Sequence, residues 1–220
     1  LNLKPSRMGK SADLFAGKRV LIVSHEGELP VMAAQVVSRR PFAGYWEYLL
    51  DSAIYTIPPF PKYGGAALIG VGGRLLGVGS LVVSDAFEGP PPVPGNMFVP
   101  IDLLRPILAD LLENGRSRKP SHPWLGAHTV EIDGRLRIMR ITKGGPADKA
   151  GLRDGDIIMG VDGKRVKTME KFFRLVWAKG DAGVNISLNV VKSGTAEMKI
   201  ERVTIKSDDR YNWLKLKHSY

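Results

Sequence analysis

Between Lys18 and Val83 the chain keeps starting and stopping. Residues 18–24, 31–38, 66–71 and 74–83 are short runs rich in Val, Ile and Leu, each bounded by Gly or Pro. β-branched residues fit a pleated surface, while Gly and Pro interrupt helices and sheet interiors alike, so this punctuation predicts short strands in an all-β unit. Gly72-Gly73 sits between the last two runs and signals a tight hairpin. The Gly-Pro-Pro-Pro-Val-Pro stretch within residues 84–94 cannot occupy a sheet interior and predicts an exposed loop.

After Pro100 the period changes. Ile101, Leu103, Leu104, Ile107, Leu108, Leu111 and Leu112 recur at three and four, with Asp102 and Glu113 on the other face. That spacing predicts an amphipathic helix stopped at Gly115. The polar, proline-bounded segment 116–123 then predicts a domain boundary. Beyond it, strand-like runs lie at 124–130, 136–142, 156–161, 184–191 and 197–204. They are interrupted by the compact turn Gly144-Gly-Pro-Ala-Asp-Lys-Ala-Gly-Leu152 and by a helix over 169–178, with Thr168 as its N-cap and Lys179-Gly180 closing it. No internal repeat is evident.

The formal net charge is +10 over 220 residues. Residues 1–120 hold 13 Lys and Arg against 10 Asp and Glu, and the remainder holds 19 against 12. Acids are interspersed with bases throughout, so a solvated basic surface is the first reading, and a nucleic-acid or anionic-membrane binder is the alternative. With no cysteine, disulfides, thiolate catalysis and cysteine-based zinc sites are excluded. The apolar stretches fall far short of the roughly 18 residues a membrane-spanning helix needs. The chain opens on Leu1, which reads as a fragment or processed product.

Trp124-Leu-Gly-Ala127, followed by Gly145-Pro-Ala-Asp-Lys-Ala-Gly-Leu-Arg-Asp-Gly-Asp-Ile-Ile-Met-Gly-Val-Asp-Gly163 and a helix, resembles a PDZ domain of the circularly permuted, bacterial kind that follows HtrA-type proteases. The resemblance covers about residues 122–206. Upstream, Met8-Gly-Lys-Ser-Ala-Asp-Leu-Phe-Ala-Gly-Lys-Arg-Val-Leu-Ile-Val23, Gly65-Ala-Ala-Leu-Ile-Gly-Val-Gly-Gly-Arg-Leu-Leu-Gly-Val78 and Phe98-Val-Pro-Ile-Asp-Leu-Leu-Arg-Pro-Ile-Leu108 resemble the second β-barrel lobe of the same family. The expected fold is therefore mainly β: a trypsin-like C-terminal β-barrel lobe over 1–100, a connecting helix and linker over 101–121, an α+β PDZ domain over 122–206 and a basic tail over 207–220. The resemblance also implies a bacterial periplasmic or envelope setting, a role in protein quality control or in regulating proteolysis, and trimer-based oligomers.

Physical chemistry gives the PDZ-like half a binding role. Leu125, Gly126 and Ala127 form a turn whose successive N–H groups can converge on a carboxylate, with Gly126 allowing a backbone geometry that a side chain would obstruct. The strand formed by Ala127, His128, Thr129 and Val130 offers an edge to an added peptide strand. On the following helix Leu175 reads as core, while Phe172, Phe173 and Val176 are either core or the lining of a pocket for a ligand's last side chain. The expected partners are unfolded or C-terminal hydrophobic peptides.

In the resembled family the nucleophile sits in Pro-Gly-Asn-Ser-Gly-Gly-Ala-Leu. Laid without gaps, that motif falls on Pro61-Lys-Tyr-Gly-Gly-Ala-Ala-Leu68, so the serine position is Gly64, or Tyr63 with one insertion, and the oxyanion-hole glycine is Lys62. None of these supplies the serine hydroxyl that an imidazole would activate for acyl transfer. The His and Asp of the triad belong to a preceding lobe outside this chain. Ser24 and His25 are adjacent and so point to opposite faces of a strand. His122, His128 and His218 lack metal-ligand spacing. The glycine-rich 70–77 leads into a strand instead of opening a helix, against a nucleotide site. Glu26 and Glu28 are exposed-loop types. No metal or cofactor is expected. The expectation is peptide recognition beside an inactive protease lobe, with an active serine endopeptidase completed by a lobe outside this chain as the rival.

Overall fold

The computed structural model describes residues 5–25, 30–194 and 199–214. The chain folds as two compact units, one made of Leu1–Pro41 and Leu50–Arg118, the other of Phe42–Leu49 and Lys119–Tyr220. Glu26, Glu28, His218 and the end of the basic tail lie outside the described residues.

The first unit is a closed six-stranded barrel. Its strands are β1 (Arg19–Val23), β2 (Val31–Gly44), β3 (Tyr48–Ile57), β4 (Ala67–Gly70), β5 (Leu75–Phe87) and β6 (Val93–Pro100), in the order β1-β2-β3-β6-β5-β4. Alternation sends Val20 and Ile22 of β1 inward, where they meet Ala34, Val36, Ile54, Leu68, Leu76 and Phe98. Asn96 is buried and clamps the 57–60 bend, its Oδ1 accepting from Phe60 N at 2.6 Å and its Nδ2 donating to Phe60 O at 3.1 Å. The Arg40 guanidinium lies 3.7 Å from the centre of the Tyr55 ring, which explains how a strand can bury residues 53–56 on both faces.

Two expectations for this unit are corrected. The loop foreseen over 84–94 is shorter, because β5 continues to Phe87 and β6 starts at Val93. Gly95 makes this possible: a Cβ there would lie 2.1 Å from Thr56 O, so only glycine lets β6 approach β3. The continuous helix foreseen from Ile101 is broken into 3-10 turns at Ile101–Leu103 and Arg105–Ile107 before helix α1 (Leu108–Asn114) begins. Pro106 has no N–H to give to the carbonyl four residues back, and it disfavours helical geometry at Arg105. Gly115 does end the helix, in a left-handed conformation that returns its N–H to Leu111 O.

The second unit carries β7 (Ala127–Ile132), β8 (Arg135–Ile141), helix α2 (Pro146–Lys149), β9 (Ile157–Val161), β10 (Lys164–Arg165), helix α3 (Met169–Trp177), β11 (Asn185–Val191) and β12 (Ile200–Lys206). The sheet order is β12-β11-β9-β8-β7, with β10 hanging off β9. Thr168 caps α3 by accepting from Lys171 N at 3.2 Å, as its position predicts. Residues 207–214 are not a tail: Asp208 exchanges two backbone hydrogen bonds with Trp124, both at 3.0 Å, and Arg210–Trp213 forms a 3-10 turn. Residues 42–49, which read as part of the first lobe, also belong here, with Ala43 and Leu49 packed against this unit's core.

Asp156, from the Gly-Asp-Ile-Ile stretch, is buried and gathers three donors: Arg153 N at 3.0 Å, Ser193 N at 2.9 Å and Lys192 Nζ at 3.1 Å. Its loss would strand the β9 entry and the β11 exit together. All four tryptophans lie in the second unit, so their fluorescence follows its unfolding separately. Asp156→Ala is expected to lower that unit's unfolding free energy by about 2–4 kcal/mol in urea; a loss below about 1 kcal/mol would contradict this role.

Candidate functional site

The turn 124–127 is held from behind. Leu125 O accepts from Ala147 N at 2.8 Å, Gly126 O accepts from Thr142 N at 2.8 Å, and Trp124 O is taken by Asp208 N. With their carbonyls engaged on that side, the N–H groups of Leu125, Gly126 and Ala127 turn the other way and converge. Gly126 has φ +74°, and a Cβ there would sit 3.1 Å from the Trp124 ring and 3.3 Å from Thr142 Cβ, so the position demands glycine twice over.

What they converge on is a carboxylate. Glu47 Oε2 accepts from Leu125 N at 2.8 Å, and Glu47 Oε1 accepts from Gly126 N at 2.7 Å and from Ala127 N at 3.0 Å. Glu47 is buried at the tip of the hairpin joining β2 and β3 and takes a left-handed φ of +58°. Burial pushes its carboxyl up to about 7, against the opposing pull of the three N–H groups and the Arg210 guanidinium. Beside it, Tyr45 O accepts from Thr129 N at 3.2 Å, and Trp46 O accepts from Arg210 Nη1 at 3.0 Å. Tyr45 meets the Trp46 ring edge-on with ring centres 4.8 Å apart, and Trp46 stacks on Tyr48 at 5.9 Å.

β7 closes one end of the sheet path, with no further strand on its outer edge, where the Thr129 N–H donates to Tyr45 O. His128 on this strand is half-buried 5.8 Å from the Tyr45 ring and 3.3 Å from Arg140, and desolvation together with the charges of Arg140 and Arg210 holds its pKa below the ordinary histidine value. Thr129 is buried and Val130 half-buried. The helix residues share a buried cluster with Leu125 and Ala127 of the nest. Phe172, Phe173 and Val176 are each 1% exposed and belong to the core with Leu136, Ile158 and Leu188, while Leu175 packs partly buried against the same cluster. A cavity of about 420 Å³ lies beside Glu47, among Leu49, His122, Trp124, Trp177 and Tyr211.

Glu47 went unread in the sequence. Its partners are 78 to 80 positions away, and an acid between Trp46 and Tyr48 signals at most an unusual turn. In the first unit, the segment aligned with a protease nucleophile is a tight turn pinned to β5. Ala66 N donates to Tyr63 O at 2.9 Å, Gly65 N donates to Gly79 O at 3.0 Å, and Gly79 N donates back to Ala66 O at 2.7 Å. Gly64 at its crest has open space around it, and neither it nor Lys62 brings a hydroxyl. Among the described residues no cluster of His, Asp and Glu is placed to hold a metal ion, and no helix is long and apolar enough to cross a membrane.

If Phe172 is core, truncating it leaves a void under the sheet. Phe172→Ala is expected to destabilise the second unit by about 3–5 kcal/mol; a loss under about 1 kcal/mol, read by tryptophan fluorescence in urea, would return it to the groove.

Residues 123–212 match the family model for the PDZ domain. The chain is 26% identical over 223 residues to the probable periplasmic serine endoprotease DegP-like of Hahella chejuensis, an alignment covering 92% of this chain and 45% of that protein. It is 24% identical over 162 residues to the serine protease Do-like HtrA of Bacillus subtilis, covering 64% of this chain and 35% of the relative. The chain thus spans less than half the length of these curated relatives. The solved structure of the HtrA-type protease AlgW with decapeptide shares its fold, with a TM-score of 0.57 at 20% identity over 94% of this chain and 65% of that one. The second half of the chain thus matches a PDZ domain, and along nearly its whole length the chain is similar to HtrA-type serine proteases.

Proposed function

We propose that the chain recognises the C-terminal end of an extended polypeptide, holding the terminal carboxylate on the N–H groups of Leu125, Gly126 and Ala127 and pairing the preceding residues along β7. The observation that carries this reading is that those three N–H groups already converge on a carboxylate at 2.7–3.0 Å. Charge-assisted bonds of this length are about twice as strong as neutral ones, and an amide in the same place would lose them. The relative solved with a decapeptide is in keeping with a peptide ligand.

The first unit, in this reading, is a scaffold without hydrolytic chemistry of its own. Acyl transfer needs a nucleophile, a base and an oxyanion cradle in one place, and the aligned turn offers Tyr63, Gly64 and Lys62 instead. The setting we assign is the bacterial envelope, where the Hahella chejuensis relative is named periplasmic. There, hydrophobic C-termini of unfolded proteins are the proposed ligands, in protein quality control or in the regulation of proteolysis.

Two measurements test the reading. Hydrophobic peptides with free C-termini are expected to bind at least tenfold more tightly than the same peptides amidated, and Gly126→Leu is expected to remove binding while the barrel stays folded; equal affinity for acid and amide would overturn the carboxylate role. A fluorophosphonate probe is expected to leave the chain unlabelled, and stoichiometric labelling would restore the hydrolase.

A further inference from the structure

We propose that residues 45–47 are a built-in occupant of the peptide groove: the Glu47 carboxylate fills the nest meant for a ligand's C-terminus, and the Tyr45 carbonyl takes the Thr129 N–H on the strand edge, so that a peptide binds only by displacing this tip. The inference rests on the recognition role assigned above and names how that same site is regulated.

Three features separate this from incidental packing. The tip imitates both halves of the proposed ligand at once, the carboxylate in the nest at 2.7–3.0 Å and a backbone acceptor on β7 at 3.2 Å. It does so with a non-glycine residue at φ +58°, a conformation that surrounding contacts must hold in place. And it is latched from a second side by Arg210, whose Nη1 donates to Trp46 O at 3.0 Å. Because the tip is covalently tethered, it competes at an effective concentration in the millimolar range for a short flexible connection, and a ligand's apparent affinity falls by the fraction of time the groove is open.

Protons bias the competition. The seated Glu47 carboxyl, pushed up to about 7 by burial, holds its proton more tightly than the same group released to water near the ordinary 4.5. Seating is therefore favoured in acid, weakens as pH rises from about 4.5 to about 7, and is weakest above that. The charged and titratable groups facing the tip are Arg210 and Asp209 from the 3-10 turn, His128 from β7, Arg140 from β8, Tyr48 from β3 and His122 from the connector. All of them remain in a Glu47→Ala chain, so the difference between the two chains isolates Glu47.

The experiment uses the whole chain, wild type and Glu47→Ala, with Glu47→Gln as the isosteric variant should alanine disturb folding. Fluorescent hexapeptides ending in Val, Leu or Phe, as acid and as amide, are the probes. Amide chemical shifts of Leu125, Gly126 and Ala127 report the nest directly. Expected are shifts at all three amides on substitution, a titration of those amides near pH 7 in wild type alone, and at least tenfold tighter binding of the acid peptides to the variant. Wild-type affinity should also rise between pH 5 and 8 relative to the variant. Unmoved amides, or equal affinities in the two chains with acid still preferred to amide, overturn the built-in occupant and leave peptide recognition standing. If Glu47→Ala moves the amides yet binds acid and amide peptides equally, the recognition role itself falls, and the proposal with it.

Discussion

The convergence of three N–H groups on one carboxylate is the interaction around which the second unit is arranged. Buried donors must find acceptors, and a buried carboxylate is tolerated only when its charge is met by hydrogen bonds. The 124–127 turn meets both demands at once. Its carbonyls are tied back by Ala147, Thr142 and Asp208, which is why segments far apart in the chain all end on this turn. Residues 207–214 fold down because Trp124 needs a partner. The hairpin tip groups with this unit because Glu47 does.

That arrangement also explains which parts of the molecule could be read from sequence. The nest was legible, because Gly126 within Trp-Leu-Gly-Ala marks a backbone that must turn left-handed, and N–H convergence follows from the turn. The Thr168 cap and the Gly115 stop were legible for the same reason: each is a local backbone demand met by one residue type. β3 and β6 were harder. The flanks of β6 carry Pro94, Gly95 and Pro100, which argue against a strand, yet Gly95 is what admits it to the barrel. The helix expected from Ile101 failed where its apolar period was right but Pro106 forbade the backbone.

Glu47 was illegible in principle. A sequence displays which groups need partners but not which distant partner arrives, and the acid that fills the nest comes from 78 to 80 residues away, from a segment that the sequence assigns to the first lobe and the structure to the second unit. Reading by domain therefore separated the two members of the interaction that matters most. The helix residues show the converse limit. Periodicity placed Phe172, Phe173 and Val176 on one apolar face, but whether that face meets core or ligand depends on what else the sheet must cover.

The nest need not hold an internal and an external carboxylate equally well. A glutamate side chain has an unperturbed pKa of about 4.3 and a chain's terminal carboxyl about 3.3–3.7, so the terminal group is the weaker base and is more readily kept ionised when desolvated. The same burial acting on a C-terminal carboxylate starts from that lower intrinsic value, which keeps the terminal group the more readily charged of the two. A charged acceptor gains more from three N–H donors than a partly protonated one. The tip thus holds the groove with an acceptor weakened at neutral pH, while Arg210, on the half of the chain that carries 19 bases against 12 acids, continues to favour any incoming anion.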